Sequence, residues 1–139
     1  RELSVEQLIR FTQIDYDREM ALVAVDREGE PGEIRAIARY TRLADGERAE
    51  FGITVEDSWQ GRGLGNAMME ALEQCGRDRH LGEIFGYVLK ENDSMRQLML
   101  ARGYVAHREQ DDAHVIRFTL CLRDKPAAQQ ACAAQESAR

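Results

Sequence analysis

Residues Gln60–Gly65 read QGRGLG, with glycine at 61, 63 and 65, Arg62 between the first two, and a helical pattern starting at once. Glycine loses more backbone entropy on ordering than any other residue, so such a cluster needs a reason. A glycine-rich turn from strand to helix exposes backbone N–H groups at a helix N-terminus, where the helix dipole favours anions. Alternate glycines let successive amides curl into a nest around a phosphate. The stretch reads as a grip for a phosphate or pyrophosphate, with Arg62 adding a cation. A turn that only joins strand to helix, and an arginine that only meets solvent, are the plainer alternatives. A P-loop would continue with Lys-Ser/Thr, and Asn66-Ala67 follows instead. A dinucleotide fingerprint would need glycine at position 66 and a parallel strand–helix–strand unit, and neither is expected here.

The elements around the loop follow from pattern and punctuation. Ser4 with Gln7 is a capping-box pair that opens a short helix over LSVEQLIRF, and a second helical turn is expected at Gln13–Arg18. Strands are expected at Met20–Asp26, Ile34–Leu43 and Arg48–Val55, with turns at Gly29–Gly32 and Asp45-Gly46. After the loop, Leu64, Met68, Ala71, Leu72 and Cys75 recur at helical spacing, giving a helix over Asn66–His80 that stops near Gly82. Ile84–Leu89 reads as an apolar strand. Asn92-Asp93-Ser94 offers the N-cap of a helix over Met95–Arg102 that Gly103 ends. Tyr104–Arg108 and Val115–Leu122 form a hairpin across Gln110–Ala113. The order implies a mixed α/β domain around one central sheet.

Bulk numbers narrow the partners. The 139 residues suit one domain, here residues 1–124, and the Ala/Gln-rich stretch 125–139 is expected to be a disordered tail. The net charge of −6, from 19 basic and 25 acidic residues without a basic cluster, disfavours nucleic acid. No apolar run nears the roughly 20 residues of a membrane span. Cys75, Cys121 and Cys132 are odd in number and lack metal-site spacing, so they read as reduced thiols of a cytoplasmic protein. His80, His107 and His114 show no ligand spacing, and no metal is expected. The chain opens at Arg1 without methionine or signal sequence and reads as a piece of something longer.

Gln60, Gly63 and Gly65 fill a Q-x-x-G-x-G pattern that resembles the pyrophosphate-binding signature of the GNAT acetyltransferase superfamily. The order of elements from Met20 to Leu122 is similar as well. Asn92 stands where that family places an asparagine against the pantetheine arm, and Gly103-Tyr104 where it has glycine and an aromatic residue. More narrowly, FTQIDYDREMALVA and AEFGITVEDSWQGRGLG resemble the Pat-type bacterial protein-lysine acetyltransferases, which are often joined to an acyl-CoA-synthetase-like region. The resemblance implies a three-layer fold with a mostly antiparallel mixed sheet flanked by helices. It also implies that the family's first strand and helix are missing here, leaving a sheet edge and part of the acceptor side incomplete.

The chemistry implied is transfer of acetyl from acetyl-CoA to a lysine amine, possible acceptors including a metabolic enzyme such as an acyl-CoA synthetase. Lysine has a pKa near 10.4, so a base must take a proton near neutral pH. The resemblance places that base at Glu50, and strand alternation puts Glu50, Gly52 and Thr54 on one face, with room for the amine. Glu56 and Asp57 are the alternatives. Coenzyme A contacts are expected from Ile53, Thr54 and Val55, and the backbone amides around Thr54–Val55 would polarise the thioester. Further contacts are expected from Gln60, Gly61, Arg62, Gly63, Leu64, Gly65, Asn66 and Asn92. Met99 stands where many relatives carry a proton-donating tyrosine; Tyr104 and Tyr87 are substitutes, each also a core candidate. Met68, Met69, Met95 and Met99 suit the core or a cofactor wall. A GNAT enzyme for small amines and a non-catalytic acetyl-CoA-binding regulatory domain are the competing readings.

Overall fold

In a computed structural model, which describes residues 9–12, 18–26 and 33–123, a seven-stranded sheet runs in the order β1-β2-β3-β4-β5-β7-β6. Its strands are β1 (Ile9–Thr12), β2 (Glu19–Asp26), β3 (Glu33–Arg42), β4 (Arg48–Val55), β5 (Glu83–Leu89), β6 (Val105–Arg108) and β7 (Val115–Cys121). Two helices, α1 (Leu64–Asp78) and α2 (Asp93–Ala101), pack on it. β2 alternates strictly, burying Met20, Leu22, Ala24 and Asp26. β3 buries Ala36, Ala38 and Tyr40 in the same rhythm. The small residues Ala24, Ala36, Ala38 and Ala49 leave depth for the bulky face of α1, where Met68, Met69 and Leu72 are fully buried. One core joins α1, Met99 of α2 and the inner face of the sheet. The mixed, mostly antiparallel sheet flanked by helices is the architecture the sequence implies.

Three expectations change. The helix expected over Leu3–Phe11 is not formed at its end: Ile9–Thr12 is a strand, antiparallel to β2 with Ile9 opposite Ala24. The sheet position beside β2, expected to be vacant, is therefore occupied. Residues 3–8 and 13–17 of the two expected helical segments, and the tail from residue 124, lie outside the described residues. Second, β4, α1 and β5 do form a parallel strand–helix–strand unit. Direction was misjudged because an antiparallel meander precedes it, whereas a helical crossover returns the chain parallel. Third, Cys75 is a free thiol but Cys121 is disulfide-bonded. The odd count and the lack of metal-site spacing argue for reduced thiols, but an odd number of cysteines leaves one over and excludes no single pair.

Candidate active site

β4 and β5 pair only over Arg48–Glu83, Ala49–Ile84 and Glu50–Phe85. Beyond Glu50, β4 continues to Val55 on β3 alone, while β5 continues to Leu89 on β7 alone. The two strands part there, and a cleft of about 470 Å³ opens at the end of β4, walled by that strand end, the glycine loop, the start of α1 and one face of α2. Phe51 helps to hold the fork. Its ring lies over Gly86, where an added Cβ would come within 2.6 Å, and its edge meets Tyr104 at 5.6 Å between centroids. The Glu56 amide donates to Arg35 O on β3 at 2.8 Å. Period-two alternation then turns the Val55 and Ile53 amides toward the open side.

The loop closes the cleft's floor. Gln60 Nε2 donates back to the Val55 carbonyl at 3.2 Å and to Asp57 Oδ1 at 3.3 Å. Gly61 and Gly63 hold φ of 78° and 82°, values that side chains disfavour. Gly65 serves a different end: a Cβ there would meet Leu98 Cδ2 at 3.1 Å, so its bareness lets α1 approach α2. Gly63 is the N-cap of α1 without a side-chain cap, and the first intrahelical bond recorded is Ala67 N to Gly63 O. The amides of residues 64–66 thus have no acceptor within the helix, as an anion site requires.

Ile53, Thr54, Val55, Gln60, Gly61, Gly63, Gly65, Asn66 and Asn92 all line the cleft, as does Asp57. Leu64 turns into the core instead. Arg62 stays outside, its guanidinium stacked 4.8 Å from the centroid of buried Trp59, with Arg35 5.3 Å from the same ring. Asn92 Oδ1 is spent on its own helix, accepting from Met95 N and Ser94 Oγ at 3.2 Å each, which leaves the amino end for a ligand. Met95 is a cleft wall, one of its two expected places. Ser94 and Leu98 complete that wall and were missed; their spacing with Met95 puts all three on one helical face, a readable signal.

The three candidate bases differ in surroundings. Glu50 is exposed on the face of β4 shared with Gly52 and Thr54, beside the fork. Glu56 is bound to Arg35 at 2.7 Å, and this hydrogen bond holds its carboxyl below the usual range. A carboxylate so stabilised is a weaker proton acceptor. Asp57 lies within the cleft, where anionic ligand groups would repel a charge. Among possible acids, Met99 is fully buried and Tyr104 donates its hydroxyl to Glu73 at 2.8 Å. Burial, and then the Glu73 charge, pushes the Tyr104 phenol far up. Tyr87 is 47% exposed, and burial followed by the Glu109 and Glu50 charges raises its phenol. Glu50 and Tyr87 therefore share one neighbourhood.

A strand that forks from its parallel neighbour, and a glycine loop that opens a helix into the fork, together match a known architecture. The acetyltransferase (GNAT) family model matches residues 2–104. The chain belongs to the GNAT family. Acetyltransferase PA5475 of Pseudomonas aeruginosa is 32% identical over 123 residues, 88% of this GNAT chain and 66% of its own length. Acetyltransferase Pat of Mycolicibacterium smegmatis is 34% identical over 98 residues, 70% of this chain and 29% of its own. The crystal structure of the GNAT domain of S. lividans PAT superposes with a TM-score of 0.69 at 28% identity, covering 81% of this chain and 65% of that one. This GNAT chain thus spans about two thirds of one curated relative and under a third of the other. Among its described residues, no helix is long and apolar enough to cross a membrane.

Proposed function

We propose that this GNAT domain is an N-acetyltransferase that moves the acetyl group of acetyl-CoA directly to the side-chain amine of a protein lysine. The observation that carries the reading is the fork: β4–β5 pairing stops at Glu50, and the cleft beyond it ends on the open amides of α1. Acetyl-CoA supplies an electrophilic thioester carbonyl and a pyrophosphate, and the two ends of the cleft suit them. The α1 amides and the Gly61–Gly63 turn receive the phosphates. Asn92 meets the pantetheine arm with its free amino end. The Val55 and Ile53 amides on the open side of β4 stabilise negative charge on the thioester oxygen.

Glu50 stands at the start of the fork, about 10 Å along the strand from Ile53 at roughly 3.3 Å per residue. It accepts the proton that lysine must lose, directly or through one water, as the nitrogen bonds to the acetyl carbon and the carbon–sulfur bond breaks. The thiolate takes its proton from water, since Met99 has none to give, the Tyr104 hydroxyl is committed to Glu73, and Tyr87 does not line the cleft. Likeness to relatives called Pat supports a protein lysine over a small amine as acceptor, an acyl-CoA synthetase among the candidates, in the cytoplasm. The test is incubation with acetyl-CoA and either lysine peptides or small amines, read by mass spectrometry. A gain of one acetyl group on peptide lysine, faster than on the amines, is expected. Preference for the small amines contradicts the lysine reading, and binding without transfer to any amine contradicts the enzyme.

A further inference from the structure

Glu73, in the middle of α1, is only 2% exposed. Three donors meet its carboxylate: Arg102 Nη2 at 2.7 Å on Oε1, and Arg102 Nε at 2.9 Å and the Tyr104 hydroxyl at 2.8 Å on Oε2. Burying such a pair contributes little net stability, because desolvation offsets the attraction, and an apolar pair of similar volume often serves as well. The arrangement invites a reason beyond stability. Arg102, the residue that ends α2, directs its remaining edge elsewhere: Nη1 donates at 2.7 Å to Oδ1 of Asn66 in the first turn of α1. Asn66 also lines the cleft.

A carboxamide has an acceptor end and a donor end. Turning Asn66 over would set its amino group against a guanidinium that offers only donors, so the oxygen stays on Arg102. We propose that Arg102, itself fixed by Glu73 and Tyr104, is a positioning residue that holds the Asn66 amino group toward the cleft as a donor to a phosphoryl oxygen of coenzyme A. This rests on the acetyl-CoA reading above and adds to it a side-chain contact oriented from the far end of α2. The α1 amides bind any anion that reaches them. A locked amide favours a ligand carrying a phosphoryl oxygen at that spot over one that lacks it.

The test compares two ligands by calorimetry on the full chain: coenzyme A, and pantetheine, which lacks every phosphate. Asn66→Asp keeps an acceptor for Arg102 but replaces the donor with a negative charge, so the fold is retained while phosphate is repelled. Its affinity for coenzyme A is expected to fall about tenfold or more, and Asn66→Ala to lose about 2–10-fold, as for one hydrogen bond. The double variant Glu73→Leu with Arg102→Met removes the anchor and leaves Asn66, and is expected to lose affinity as Asn66→Ala does. Pantetheine affinity should be unchanged in all three. Asn66→Asp binding coenzyme A as tightly as the wild type overturns the proposal, and so does an equal loss for pantetheine, which means that the cleft has collapsed. Wild-type protein that binds no coenzyme A overturns this proposal and the acetyl-CoA reading together, whereas the first two results spare that reading.

Discussion

A Cβ at Gly63 would touch nothing within 4 Å, yet φ there is 82°. Alanine at 63 should therefore cost only the left-handed backbone penalty, about 1–2 kcal/mol, with little loss of coenzyme A affinity beyond it. Aspartate carries the same backbone penalty and adds a carboxylate at the helix end. Gly63→Asp should stay folded by circular dichroism and lose at least about tenfold in coenzyme A affinity relative to Gly63→Ala, near 1.4 kcal/mol. Equal affinity in the two variants contradicts an anion site at this turn. Gly61 shares the positive φ, but Gly65 does not, and regular spacing hid that difference. Three like residues at alternate positions suggested one purpose. The third answers to Leu98 on another helix, a long-range contact that no local pattern contains.

At the scale of elements, the ring of Phe51 packs over Gly86 where β4 and β5 part. Gly86→Ala would force a methyl to within 2.6 Å of Phe51, and such overpacking typically costs about 1–3 kcal/mol. Its thermal midpoint should drop measurably, while Gly46→Ala, where nothing lies within 4 Å, should cost only its backbone strain. The β3–β4 hairpin and the end of β4 are each tied by a carboxylate. Asp45 accepts from the Glu47 and Arg48 amides at 2.8 and 3.0 Å, and those bonds lower its pKa. Glu56 is lowered by Arg35. Depressed carboxyls stabilise the fold above their unfolded pKa values, near 4, and that stability is lost as pH falls through the lower folded values. Denaturation midpoints should accordingly be flat above about pH 5 and fall below it. The fall should be shallower in Asp45→Asn. Both groups are largely exposed, so the differences will be small.

For the molecule as a whole, the strands from β2 to β7 and both helices were legible because alternation, helical spacing and turn residues coincide in them. Asp45-Gly46 marked its hairpin, and Asn92 caps its helix as its type suggests. What stayed hidden depends on distant partners: the pairing of Ile9–Thr12 with β2 and the parallel return of β5. Most of the cleft lining was readable from the glycine loop and strand end, but the network from Glu73 through Arg102 to Asn66 joins residues far apart in sequence. Glu50 is the point where these scales meet, an exposed carboxylate at the last paired residue before the sheet opens. Glu50→Gln is nearly isosteric and should keep the fork and acetyl-CoA affinity. The most direct measurement is the single-turnover rate of acetyl transfer to a lysine peptide near neutral pH, in wild type, Glu50→Gln and Glu56→Gln, with acetyl-CoA bound at saturation. Glu50→Gln should lose about 10²–10⁴-fold, the deficit shrinking as rising pH frees the amine, while Glu56→Gln stays near the wild-type rate. Full activity in Glu50→Gln with a collapse in Glu56→Gln contradicts the account at its centre.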